Sequence, residues 1–188
     1  MSAGWIVLGI VVAAALWILA VYNRLVTLRQ RCNQSFADID VQLKQRHDLI
    51  PNLVETVKGY AGHEKDTLDA VVKARAAATA APAGSPQQAQ AEGQLSGALG
   101  RLIAISEAYP DLKANTNFQQ LQSELSDIEN KLAAARRFFN SAVGEYNASL
   151  ESVPAVFFAQ SLGFQARGFF DVGEESRKQL DQAPSVKF

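Results

Sequence analysis

Apolar residues recur along two long stretches of the chain at a helical spacing. The first series runs Leu25, Leu28, Cys32, Phe36, Ile39, Leu43, Arg46, Ile50, Leu53, Val57 and Tyr60. Ten steps cover 35 residues, a mean of 3.5, the repeat of helices packed at shallow angles. Arg46 is the one charged member. The register passes unbroken through Pro51, which favours a kinked helix over a second helix opened with Asp48 as its N-cap. The second series, Phe118, Leu121, Leu125, Ile128, Leu132, Ala135, Phe139, Ala142 and Tyr146, takes eight steps over 28 residues, again 3.5 each.

Weaker patterns lie between these two. Leu68, Val71, Val72 and Arg75 extend the first helical region towards Ala80, and "APAGSP" at 81–86 breaks it. Residues 87–107 read as a further helix with Leu95, Leu99, Leu102 and Ile105 as its apolar positions. "YPDLKANTN" at 109–117 is a turn that offers Asn115, Thr116 or Asn117 as a helix cap. The last long helix runs from about Thr116 to Leu150 and stops at Val153-Pro154. As one helix, residues 24–80 would span roughly 85 Å, and the two later helices, at roughly 30 and 50 Å, could return along it. A reversal near Gly59–Gly62 would give a compact four-helix arrangement instead. Either path predicts an all-α fold, an antiparallel (four-)helix bundle with long heptad-like helices, and returns Leu150 to the start of the bundle.

Ahead of the bundle lies an uncharged run, Ala3 to Tyr22, of 20 residues. At about 1.5 Å per residue it is roughly 30 Å long, the thickness of a bilayer's hydrocarbon core. Trp5, Trp17 and Tyr22 suit interfacial anchoring. A cleaved signal peptide is the rival reading. The lack of a basic leading region, and Arg24 following without a small-x-small site, favour an uncleaved transmembrane anchor. Arg24, Arg29 and Arg31 follow the span and no Lys or Arg precedes it, so the expected orientation has the N-terminus outside and the bundle in the cytoplasm. The expected domains are an anchor at 1–23, a helical bundle at 24–170 and a polar tail at 171–188.

Composition narrows the chemistry. With 18 basic and 19 acidic residues, no basic surface points to nucleic acid. The single cysteine, Cys32, rules out an intrachain disulfide and sits on the apolar stripe, as a buried, inert thiol would. His47, Asp48, His63 and Glu64 invite a metal reading, but adjacent residues diverge by about 100° around a helix. No Glu-x-x-His or His-Glu-x-x-His occurs, nor any G-x-S-x-G or phosphate-binding loop. Asp38 and Asp40, two apart, do not share a helical face. The sequence therefore nominates no catalytic residue, no cofactor and no metal site.

Interaction is the better use for the polar residues in 38–64: Asp38, Asp40, Arg46, Asp48, Asn52, His63 and Glu64. Arg46 is either a snorkelling side chain at the edge of the stripe or a buried arginine paired with a carboxylate, with Asp48 or Asn52 on a neighbouring turn as possible partners. Arg136 and Arg137 are candidates for anionic headgroups. Residues 155–170 hold five of the ten phenylalanines. Among them Phe157, Phe158 and Phe164 could cap the bundle, enter the membrane interface or meet another subunit.

The sequence resembles the LemA family along essentially its whole length. The resemblance rests on "YNRLV" after the span, "FADIDVQLKQRHDLIPNLVETVKGYAGHE", "LKANTNFQQLQSEL", "ARRFFN" followed by "YN", then "GF" and the terminal "PSVKF". Gln45 stands where a basic residue would be expected, and Val153 where an aromatic often precedes the proline. The resemblance implies an N-terminal membrane anchor on an antiparallel helical bundle with its N-terminus outside, and it supplies no reaction. The expectation is a non-enzymatic, single-pass scaffold or adaptor of a bacterial cytoplasmic (inner) membrane. It would self-associate and bind an unidentified membrane-associated protein, with membrane lipid as a further contact. Lipid binding or membrane remodelling through the Phe-rich segment is the alternative, and a metal-dependent enzyme a more distant one.

Overall fold

The computed structural model describes residues 2–170. The expected polar tail and the "PSVKF" motif lie outside the described residues. Five α-helices follow in order: α1 (Ser2–Ala61), α2 (Lys65–Ala80), α3 (Pro86–Ile105), the short α4 (Pro110–Ala114) and α5 (Thr116–Glu151). Short 3-10 turns occupy Ser106–Ala108 and Ala155–Phe157, and no strand forms among the described residues. The fold is all-α, as the 3.5-residue spacing predicts.

The helix boundaries have local causes. Gly62 and His63 form the turn that ends α1, and α2 starts at Lys65, so the reversal occurs beside Gly59–Gly62 and residues 24–80 are not one helix. Ser85 caps α3 by accepting from the Gln88 amide at 3.1 Å, with Pro86 in the first turn where no amide donor is needed. Asn115 is the cap of α5: its Oδ1 accepts from the Phe118 amide at 2.9 Å. α5 stops at Glu151, ahead of Val153-Pro154.

The chain divides into two compact units, and both α1 and α5 contribute to each. The first joins α1 up to Ala37 with Arg137–Phe169; the second is built on Asp38–Arg136 with Phe170.

In the second unit one core draws on every helix. Ile50, Leu53, Val54, Val57 and Ala61 come from α1, and Leu68, Val71 and Ala78 from α2. Leu95, Ala98, Leu99 and Leu102 come from α3, Leu112 from α4, and Phe118 and Leu125 from α5. Most of the apolar-series positions in this unit are buried; Ile105, Leu121 and Ala135 are half-buried, and two are exposed. Tyr60 is 44 % exposed while Ala61 is fully buried, because a 3.5 count drifts against a 3.6-residue helix by the last turn. Val72 is exposed as well.

In the first unit the start of α1 has no protein cover at all. Trp5, Ile6, Val11, Leu16, Trp17 and Leu19 each show 57–73 % of their surface. A helix apolar all round is unsuited to water, since each such side chain gains roughly 1.5–3 kcal/mol on burial. This stretch is long and apolar enough to cross a membrane. Beyond it Leu25, Leu28 and Cys32 are buried, and Phe36 meets Phe139 edge-on at 5.7 Å.

Candidate functional site

The second unit holds a buried charge network centred on Arg46, whose side chain is fully enclosed. α1 brings it, α3 brings Glu92 and Ser96, and α5 brings Glu129. Arg46 Nη1 donates to Glu92 Oε2 at 3.1 Å, and Nη2 donates to Ser96 Oγ at 2.7 Å and pairs with Glu129 Oε1 at 2.7 Å. Glu92 is also fully buried, whereas the Glu129 side chain keeps 38 % of its surface. Glu92 Oε1 takes a second partner, His47 Nε2, at 2.8 Å. Of the two readings open for Arg46, the structure shows the buried, paired arginine. Its partners are Glu92, Glu129 and Ser96, not Asp48 or Asn52, both of which are exposed.

Arg136 belongs to the same neighbourhood. Burial pushes its guanidinium below the ordinary arginine value and Arg46 adds to the lowering, while Glu129 and Glu92 act the other way. Its guanidinium lies 5.3 Å from the centre of the Phe170 ring. Arg136 is thus drawn inward, which corrects the expectation that it faces headgroups; Arg137 beside it is exposed. Two arginines and two glutamates balance formally, two charges against two, which is what an enclosed cluster requires.

A second link ties α2 to α1. Arg75 Nε donates to the His47 carbonyl oxygen at 2.8 Å. That carbonyl would ordinarily accept from the amide four residues on, and position 51 is a proline without one. α1 runs through Pro51 as a helix, and a side chain of the neighbouring helix supplies the missing donor. The Thr79 hydroxyl lies 3.5 Å from His47 Nδ1.

The other nominated residues are scattered. Asp38 and Asp40 are exposed on α1, and His63 is exposed in the turn after it. Glu64 Oε1 accepts from the Tyr109 hydroxyl at 3.2 Å, which raises the tyrosine's pKa along with burial as the larger cause. Asp48 lines an open groove of about 380 Å³ with Gln45, Leu49, Glu124, Asp127, Ile128 and Lys131. Among the described residues no three of the His, Cys, Asp and Glu side chains are grouped to hold a metal ion.

In the first unit the Phe-rich segment splits. Phe164 is buried, meeting Tyr22 edge-on at 5.5 Å with the Arg29 guanidinium 4.9 Å from its ring centre. Phe158 is half-buried and Phe157 is 79 % exposed. Gly163, at φ +78°, permits the left-handed turn that aims Phe164 back at α1. Asn147 then clamps the returning chain. Its Oδ1 accepts from the Arg167 amide and its Nδ2 donates to the Arg167 carbonyl, both at 2.9 Å. Arg167 Nη2 reaches Asn33 Oδ1 at 2.6 Å.

Sequence reasoning missed Glu92, Ser96, Glu129, Arg75 and Asn33. Only Arg75 left a trace, as a charge at a nominally apolar position, the same signal that singled out Arg46.

Comparison with known proteins finds relatives along most of the chain. Magnetosome protein MamQ of Magnetospirillum gryphiswaldense is 25 % identical over 174 residues, covering 79 % of this chain and 64 % of its own length. Magnetosome protein MamQ 2 of Paramagnetospirillum magneticum is 25 % identical over 185 residues, covering 85 % and 68 %. Protein LemA of Metamycoplasma hominis is 23 % identical over 159 residues, covering 85 % and 73 %. The chain therefore spans about two thirds of the length of the MamQ relatives. The model of the LemA family matches residues 35–188, which take in the Arg46 network, the Pro51 crossing and the Asn147 clamp, and the chain belongs to the LemA family.

Proposed function

We propose that the protein is a membrane-anchored helical scaffold of the bacterial cytoplasmic membrane, with its N-terminus outside and its helical domain in the cytoplasm. One observation supports this reading: the enclosed charged side chains are engaged in joining helices. Arg46, Glu92 and Glu129 tie α1, α3 and α5 together, and Arg75 ties α2 to α1. The uncovered apolar start of α1 supports the anchor, and Arg24, Arg29 and Arg31 after it support the orientation. In this reading copies associate through the span and the long helices, and the exposed polar face, including the groove beside Asp48, receives a membrane-associated protein partner.

The test is the native mass of the full chain extracted in a mild detergent, followed by crosslinking in membranes. A defined oligomer is expected, and a strictly monomeric particle under both conditions would overturn self-association. Proximity labelling from the helical domain in living cells should mark cytoplasmic proteins. Labelling confined to proteins outside the cell would overturn the orientation.

A further inference from the structure

The loop after α5 presents apolar side chains that the protein does not cover. Val153 is 72 % exposed, Phe157 79 %, Val156 49 % and Leu162 48 %. Ala155, Ala159 and Phe164, within the same dozen residues, are by contrast turned inward. From Ser152 to Phe170 the sequence holds no acidic residue, and Arg167 is its one charge.

The position of this loop in its own unit is fixed by contacts with α1 at the end of the apolar stretch. Phe164 packs on Tyr22, and Ser149, Ser152, Val153, Pro154 and Ala155 line a small cleft with Val21, Arg24 and Leu25. Tyr22 closes a stretch as long as a bilayer core is thick, so it lies at headgroup level once that stretch spans. Whatever is packed on Tyr22 is held at the same depth.

We propose that Val153, Val156, Phe157 and Leu162 form a foot that lies in the headgroup–acyl boundary of the bilayer crossed by α1; this rests on the anchor reading above. Continuity with the span selects lipid as the occupant. The loop is delivered to the interface by a covalent anchor, and interfacial binding grows with the apolar area buried. The basic side chains around it suit anionic lipid: Arg24 lines the cleft, and Arg29 packs on the ring of Phe164. The foot makes a second, shallow attachment of the far end of α5 to the membrane, in addition to the anchor.

The test uses the full chain in a Cys32→Ala background with one environment-sensitive fluorophore at a time, attached through Phe157→Cys, Leu16→Cys or Val72→Cys. The proteins are reconstituted in vesicles of equal parts phosphatidylcholine and phosphatidylglycerol, carrying a spin label either near the headgroup or deep in the acyl chain. The fluorophore at 157 is expected to lose most of its emission to the shallow label, that at 16 to the deep label, and that at 72 to neither. Strong quenching at 16 with none at 157 would overturn the foot while leaving the anchor intact. A blue-shifted but unquenched fluorophore at 157 would mean a second protein copy covers the loop, and would overturn it as well. No quenching at 16 would overturn the anchor reading and the foot with it.

Discussion

Arg75 donates its Nε–H to the carbonyl of His47, the acceptor that Pro51 leaves without a backbone donor. The proline and the arginine are on different helices, yet each explains the other. A helix that loses a backbone bond at proline is normally weakened there. Here the vacancy is filled from α2, which makes Pro51 a docking point for α2 as well as a break in the ladder.

This pairing predicts strong coupling. Arg75→Met is expected to lower stability by about 1.5–3 kcal/mol, the usual worth of a hydrogen bond from a charged donor. In a Pro51→Ala background the amide at 51 can serve the carbonyl, so the same change should cost much less. A double-mutant cycle by chemical denaturation in detergent checks this, and additive effects would sink the explanation.

Arg46 and Glu92 predict an asymmetry. Arg46→Ala strands the enclosed Glu92 carboxylate and should destabilise by about 3–5 kcal/mol. Replacing both Arg46 and Glu92 by methionine removes the stranded charge, so the double variant should recover most of the loss. Glu129→Gln should be milder than Glu92→Gln, because Glu129 reaches solvent. Unfolding midpoints of the four variants make the comparison.

Asn147 meets both backbone groups of Arg167, which needs one acceptor and one donor on the same side chain. Asn147→Asp keeps the shape but turns the donor into an acceptor facing a carbonyl. Hydrogen exchange at the Arg167 amide should speed up by about tenfold, on the basis of roughly 1–2 kcal/mol for one broken contact. Amides in the second unit should be unaffected.

Cys32 is buried, and burial pushes its thiol above the ordinary value of 9.0 despite the nearby Arg167 and Arg31. A thiol ionising later in the folded state than in the unfolded one contributes its full stability below the unfolded pKa, and loses it as pH rises through the folded one. Stability should therefore fall above about pH 9, and Cys32→Ala should remove part of that slope. Tyr146, also raised by burial, supplies another part. At neutral pH a maleimide should label Cys32 slowly until the chain is unfolded.

The helices and most of their core positions were legible because burial along α1 and α5 repeats in the sequence itself. Leu25 to Val57 and Phe118 to Tyr146 carry that period on their own. The Arg46 network was half legible. A charge on an apolar stripe announces that something must neutralise it, but its partners lie 46 and 83 residues away on other helices, and a polar pair across helices imposes no spacing on either strand of sequence. Glu92 was further hidden by the glutamines of early α3. The phenylalanines were visible as a group, yet their division into buried Phe164 and exposed Phe157 depends on the turn at Gly163, which no periodicity encodes.

The spacing of the network also sets a clock. Arg46 leaves the ribosome 83 residues ahead of Glu129, an interval of roughly 4–17 seconds at ordinary elongation rates. Arg136 comes after Glu129, so a chain that has reached only Glu92 holds one arginine and one glutamate of the cluster, and the second pair arrives with α5. The network is complete only once α5 has been synthesised, and a chain interrupted before Glu129 leaves Arg46 Nη2 with Ser96 and without its second carboxylate.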